Sequence, residues 1–149
     1  MPRLAPLGHC GVSTQEKIVP SILIEVRKEY GEETELEIME SVHSSLIECF
    51  KISPSDKNIR FIAHKPHRFI CPPDREYPEF YTHISIDCFA GRSLEAKRNL
   101  YKDIVSKLEK FGIPNNHVKI LLREIEPKNW GIRGGFAACD LELGYELNV

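Results

Sequence analysis

At 149 residues the chain is long enough for one domain with a sizeable core, and its 42% hydrophobic and 28% charged residues are ordinary for a globular protein. Lys+Arg total 20 against 22 Asp+Glu, a net charge of −2, which gives no field able to hold nucleic acid or an anionic membrane surface. No stretch approaches the ~20 apolar residues of a membrane span, and Cys10, Cys49, Cys71, Cys88 and Cys139 include no close pair of the C-x-x-C type, so neither a disulfide framework nor a zinc site is suggested and the thiols read as those of a reduced, cytoplasmic protein.

In chain order, residues 1–19 carry prolines, glycines and one early arginine but lack the apolar run of a secretory signal; they read as an N-terminal extension ahead of a single domain spanning residues 20–149. Pro20 opens a strand in which Ile22, Ile24 and Val26 alternate with polar neighbours at the period of a half-buried strand. After Gly31, the residues Ile38, Met39, Val42, Leu46, Ile47 and Phe50 recur at three- and four-residue steps and predict a helix from about Thr34 to Phe50. Ile52-Ser53-Pro54-Ser55-Asp56 is a turn by composition, and Ile59 to Ala63 is the second strand. Cys71-Pro72-Pro73-Asp74-Arg75 is a rigid connection to the second half.

That half repeats the plan. Thr82 to Phe89 reads as a strand with Ile84, Ile86 and Cys88 on one face. Ser93 is an N-cap with Glu95 in the first turn, and Leu94, Leu100, Tyr101, Ile104, Leu108 and Phe111 form the stripe of a second helix that stops at Gly112. Ile113-Pro114-Asn115-Asn116-His117-Val118 echoes the Ile52 to Ile59 segment, a spacing of roughly sixty residues that accommodates one βαβ unit. The expected fold is therefore α/β, in the α+β sense, with two tandem βαβ units, parallel pairing inside each unit and both helices on one face of a shared sheet. Leu141, Leu143, Tyr145, Leu147 and Val149 alternate with polar residues and predict an extra C-terminal strand, whose exposed edge would pair with a neighbouring subunit.

The duplicated βαβ plan, together with Ala90-Gly91-Arg92-Ser93-Leu94-Glu95-Ala96-Lys97, Gly112-Ile113-Pro114 and the run from Asn129 to Gly135, resembles the tautomerase superfamily, in particular its longer single-chain branch close to malonate semialdehyde decarboxylase. The resemblance runs from Pro20 to the C-terminus. It implies a cofactor-independent tautomerase assembled as a homotrimer, acting on a small carboxylated enol or α-keto acid with no bound metal, in which the secondary amine of an amino-terminal proline is the general acid or base. Carried over residue by residue, Pro20 matches that proline, Arg92 the arginine that holds the substrate carboxylate, and Asp56 the decarboxylase aspartate. Two departures accompany it: Ala90 stands where the decarboxylase has a second arginine, and Tyr30 where smaller tautomerases have one.

An α-amino group titrates near about 7.7–8.0, and a nearby cation such as Arg92 lowers that value, so a neutral amine at physiological pH can remove a proton beside a carbonyl. In a peptide bond the same nitrogen is an amide without useful basicity, and Pro20 is then only a strand opener, a place where proline loses no ladder bond. The sequence suggests a route to the free amine. Valine is what an internal GTG codon encodes, and initiation at position 19 would give Met-Pro-Ser-Ile-Leu, from which methionine is normally removed.

Each remaining candidate has a plainer alternative. Arg92, between a strand end and a helix start, is either a carboxylate anchor or a surface arginine in a salt bridge. Asp56 either orients water or bonds its own turn. Trp130, with Gly134 and Gly135, lines a pocket mouth or packs before a hinge. Arg75 is a second candidate for substrate contact. His43 falls on the helical stripe and reads as a structural histidine, while His64, His67 and Cys71 lack a fourth ligand at zinc spacing. The sister readings are a hydratase, dehalogenase or decarboxylase working through a protonated proline, and a catalytically silent trimeric binding protein in which residues 1–19 block the nitrogen.

Overall fold

Alternation along the strands decides which side of the sheet the helices cover. In the computed structural model, which describes residues 20–141, Ile22, Ile24 and Val26 of β1 (Ser21–Val26) and Thr82, Ile84, Ile86 and Cys88 of β3 (Thr82–Cys88) are all buried on one face. They meet Ile38, Val42, Leu46 and Phe50 of α1 (Glu32–Phe50) and Leu100, Ile104 and Leu108 of α2 (Leu94–Leu108) in one continuous core. Each fully buried aliphatic side chain here contributes roughly 1.5–3 kcal/mol relative to exposure.

β1 pairs in parallel with β2 (Ile59–Ala63), β3 pairs in parallel with β4 (Val118–Glu124), and β1 and β3 join the two units antiparallel, giving the order β2-β1-β3-β4. The duplicated βαβ architecture read from the sequence is the one observed. The antiparallel join has a consequence for the site. Ser21 lies opposite Asp87, so the start of β1 is brought beside the end of β3.

The element ends are set by local chemistry. α1 begins two residues before the expected start at Thr34, with Gly31 as an N-cap lacking a side-chain bond and Glu32, Glu33 and Glu35 in its first turn, where acidic groups complement the helix dipole. The Ser93 side chain accepts the backbone N–H of Ala96 at the start of α2, as its sequence predicts. After a final 3₁₀ turn the chain reverses at Gly112, where φ is 83°, a conformation that glycine adopts without steric cost. Leu94 departs from the expected stripe: it is 59% exposed, because Ala96, Leu100, Ile104 and Leu108 define the buried face of α2 and Leu94 stands roughly 100° away from it around the helix.

The opposite face of the sheet carries Leu23, Ser85 and Leu121 in one row and Ile62, Glu25, His83 and Lys119 in the next. Leu121 is 47% and Ile62 42% exposed, and among the described residues no helix covers this face. Beyond β4 a short hairpin pairs β5 (Gly131–Ile132) with β6 (Phe136–Ala137). Its loop, Arg133-Gly134-Gly135, has positive φ throughout, so the expected hinge is a tight reversal. Leu141 closes a 3₁₀ turn by donating to the Ala138 carbonyl at 3.1 Å; the rest of the strand expected from Leu141 to Val149 lies outside the described residues, as does the extension over residues 1–19. Among the described residues no helix is long and apolar enough to cross a membrane.

Candidate active site

Four of the five candidate residues gather at one end of the sheet. Pro20 is buried immediately before β1. Asp56 lies three residues before β2, which runs parallel to β1, and the Asn58 carbonyl accepts the Ile22 N–H at 3.0 Å. Arg92 follows β3, whose C-terminal end is antiparallel to the start of β1, and Trp130 follows β4, which ends beside β3. Arg75 is the exception. It sits in the connection that leaves the other end of β2, with its guanidinium 6.0 Å from the Tyr81 ring centroid and paired with Asp74 at 2.7 Å. Within one protomer it is at the far end of the sheet from Pro20.

Arg92 is positioned by a short loop between β3 and α2. Gly91, at φ 131°, turns the chain inward in a conformation that favours glycine. The arginine is only 8% exposed, its guanidinium carbon lies 4.8 Å from the Phe50 ring centroid, and Nη1 reaches the Phe89 carbonyl at 3.5 Å. A desolvated cation over an aromatic face is worth about 2 kcal/mol, which holds the charge at this place. Of the surface arginine considered from sequence, the surface position does not hold, because the side chain is buried.

Asp56 is 7% exposed. Its Oδ2 accepts the Ser53 N–H at 3.1 Å and its own N–H donates to the Ser53 carbonyl at 2.9 Å, so the turn bonding expected of Ser-Pro-Ser-Asp is present. Burial of the same carboxylate sets it apart from an ordinary turn aspartate, which is solvated. Its main-chain carbonyl accepts a hydrogen bond from His43 Nε2 at 2.9 Å.

Trp130 packs edge-on against Phe89 with centroids 5.2 Å apart, and its Nε1–H donates to the Ile125 carbonyl at 3.2 Å. With Ala138 and Ile132 these rings form a small second apolar cluster that walls the same end of the sheet. The packed-aromatic reading thus describes its contacts. Cys88, the last residue of β3, is also buried here: burial pushes its thiol up to about 11, and the Arg92 cation opposes that rise.

Two of the three residues in the metal reading have protein partners. His64 Nε2 lies 2.9 Å from Glu25 Oε1, and Cys71 Sγ accepts from Arg27 Nη1 at 3.5 Å. Among the described residues no group of three or more His, Cys, Asp or Glu is arranged to hold a metal ion. Sequence reasoning missed Phe50 as the platform for Arg92, because an apolar residue on a helical stripe carries no mark of what lies over it.

A family model described as tautomerase enzyme matches residues 56–133. A probable tautomerase of Lactiplantibacillus plantarum is 35% identical over 60 residues, covering 40% of this chain and 92% of that protein. Among solved structures, FG41 malonate semialdehyde decarboxylase inhibited by 3-bromopropiolate superposes with a TM-score of 0.71 at 26% identity, covering 78% of this chain and 92% of the other. A wild-type fused 4-OT asymmetric trimer gives the same TM-score at 12% identity over 80% and 97% of the two chains, a likeness of fold. The duplicated βαβ sheet with two helices on one face is the tautomerase fold, and the chain belongs to the tautomerase family. The family match contains Asp56, Arg92 and Trp130 and begins after Pro20.

Proposed function

We propose that the protein is a cofactor-independent tautomerase of small carboxylated enols or α-keto acids, active in the form that begins at Pro20. The observation that carries this reading is the buried, ring-supported guanidinium of Arg92 at the end of the sheet where β1 starts. A cation held there would bind the substrate carboxylate through two hydrogen bonds, stabilise negative charge on a dienolate, and lower the pKa of an adjacent amine. The neutral Pro20 amine would take a proton from the substrate beside its carbonyl. The resulting ammonium would return that proton at another atom of the conjugated system, so enol and keto forms interconvert with no net gain or loss.

Residues 1–19 must leave or be absent from the working protein, since a nitrogen acylated by Val19 has no lone pair to offer. Residues 20–149 are then the catalytic domain. The free thiols Cys49, Cys71, Cys88 and Cys139 suit a reducing cytoplasm. The sheet face with Leu23, Ile62 and Leu121, which no helix covers among the described residues, supports assembly with further copies of the chain, and we take the homotrimer as that assembly.

The burial of Asp56 favours one second reading. A carboxylate held beside a protonated proline would orient water for hydration, dehalogenation or decarboxylation, and the FG41 protein is a decarboxylase by name. The experiment that separates the two is a pH–rate profile of the chain beginning at Pro20 on phenylenolpyruvate and on a panel of small unsaturated acids. Turnover of the enol that rises as the amine loses its proton supports the tautomerase; turnover confined to the protonated amine supports the hydratase group.

A further inference from the structure

One buried polar side chain of α1 near the Asp56 turn is a histidine that the chemistry above does not use. His43 is 1% exposed on the buried face of α1, flanked along the same stripe by Met39, Leu46 and Ile47. An imidazole in such a place loses its hydration, and an aliphatic side chain would fill the space at lower cost. What the imidazole supplies is a donor. The acceptor 2.9 Å from Nε2 is the Asp56 carbonyl, which has no proton to give, so Nε2 carries the hydrogen and the bond runs from helix to turn.

We propose that His43 is a positioning residue for Asp56: its Nε2–H fixes the main chain of that residue, and thereby the place from which its buried carboxylate acts. The turn is also tied to β1, where the Ile22 N–H donates to the Asn58 carbonyl at 3.0 Å. Nearer Asp56, that residue bonds Ser53 through its N–H and its side chain, and Lys57 N–H donates to Ser55. Lys57 also pairs with Glu40 of α1, but both side chains are more than half exposed, and exposed pairs contribute little. The buried His43 bond joins the turn to α1, and a bond of that kind is strong where water is excluded. Phe50 stands seven residues further along the same helix under Arg92, so one helix face sets the places of both charged side chains.

The inference rests on the reading of Asp56 as a site residue, and the test is arranged to separate the two. His43→Leu removes the donor, His43→Gln keeps one, and His43→Asn keeps an amide too short to reach. Amide hydrogen exchange of the full chain is read at Asp56 and Lys57, and turnover is followed on the form of the chain that is active. The expected result is faster exchange at both amides in His43→Leu and His43→Asn, a fall in kcat of at least tenfold with KM little changed, and recovery to within about threefold in His43→Gln. In an Asp56→Asn background the His43 substitutions cause no further loss, because a positioning residue acts only through the group it positions. Losses that multiply in the double variants overturn the proposal, as does parental exchange in His43→Leu. Where Leu destabilises the fold, the Gln and Asn pair carries the same comparison. Full activity in Asp56→Asn alone, or no activity in any form of the chain, removes the underlying reading and the proposal with it.

Discussion

The guanidinium of Arg92 stands over the ring of Phe50, 4.8 Å from its centroid, so the loop that follows the third strand is anchored on the last residue of the first helix. That contact joins the two βαβ halves at the end of the sheet where Pro20 lies. The ring supports the positive charge from one face of the guanidinium plane.

Arg92→Ala is accordingly expected to weaken kcat/KM for carboxylated substrates by ~1.5–3 kcal/mol, roughly tenfold to a hundredfold, the range for a lost charge-assisted hydrogen bond. Its effect on thermal stability should be smaller. Steady-state kinetics beside a thermal melt checks this, and equal activity in variant and parent would remove Arg92 from the site.

Alkaline pH should destabilise the fold. Burial raises the Cys88 thiol from 9.0 to about 11, against the opposing Arg92 charge, and burial raises the Tyr30 hydroxyl from 10.0 to about 12. Both groups keep in the folded chain a proton that the unfolded chain releases earlier. The stability linked to them is therefore fully present below pH 9 and is lost as pH rises toward 11 for Cys88, and from 10 toward 12 for Tyr30. The Cys88 contribution is on the order of 2 kcal/mol. Denaturant melts between pH 8 and 11 should show the decline, and Cys88→Ala should flatten its first part; a level profile in the parent contradicts the assignment.

The sheet face that no described helix covers predicts self-association. Light scattering should return three times the 17.1 kDa chain mass, and Leu121→Asp, which places a charge on that face at the edge strand β4, should shift the protein toward monomer. A stable parental monomer at micromolar concentration would rule the trimer out.

Much of this architecture is legible in the sequence because it is written in short-range chemistry. The alternation at Ile22, Ile24 and Val26, the Ser93 cap and the Gly112 stop each act within a few residues, and the structure uses them as read. Leu94 shows the limit of reading a stripe from apolar residues alone: it stands off the face that Ala96, Leu100, Ile104 and Leu108 bury, and an apolar side chain at that angle stays exposed. The site divides in the same way. Pro20, Asp56 and Arg92 are recognisable as residue types at a family spacing, but their meeting at one end depends on the antiparallel join of β1 and β3, which local pattern does not encode. The same topology carries Arg75 to the other end. The His43 bond to Asp56 and the Phe50 platform under Arg92 depend on how the turn after α1 folds back and how the loop after β3 crosses it, both long-range outcomes of packing.

The central claim is that the chemistry belongs to the free amine of Pro20, and the most direct measurement compares two forms of the protein on one enol-acid panel. One is the full 149-residue chain; the other begins Met-Pro20, with an intact mass showing that the methionine has been removed. The predicted result is tautomerase activity in the form that starts at Pro20 and little or none in the full chain, whose Pro20 nitrogen is an amide. Equal inactivity of both forms across the panel would contradict the account and leave the silent binding protein as the reading that stands.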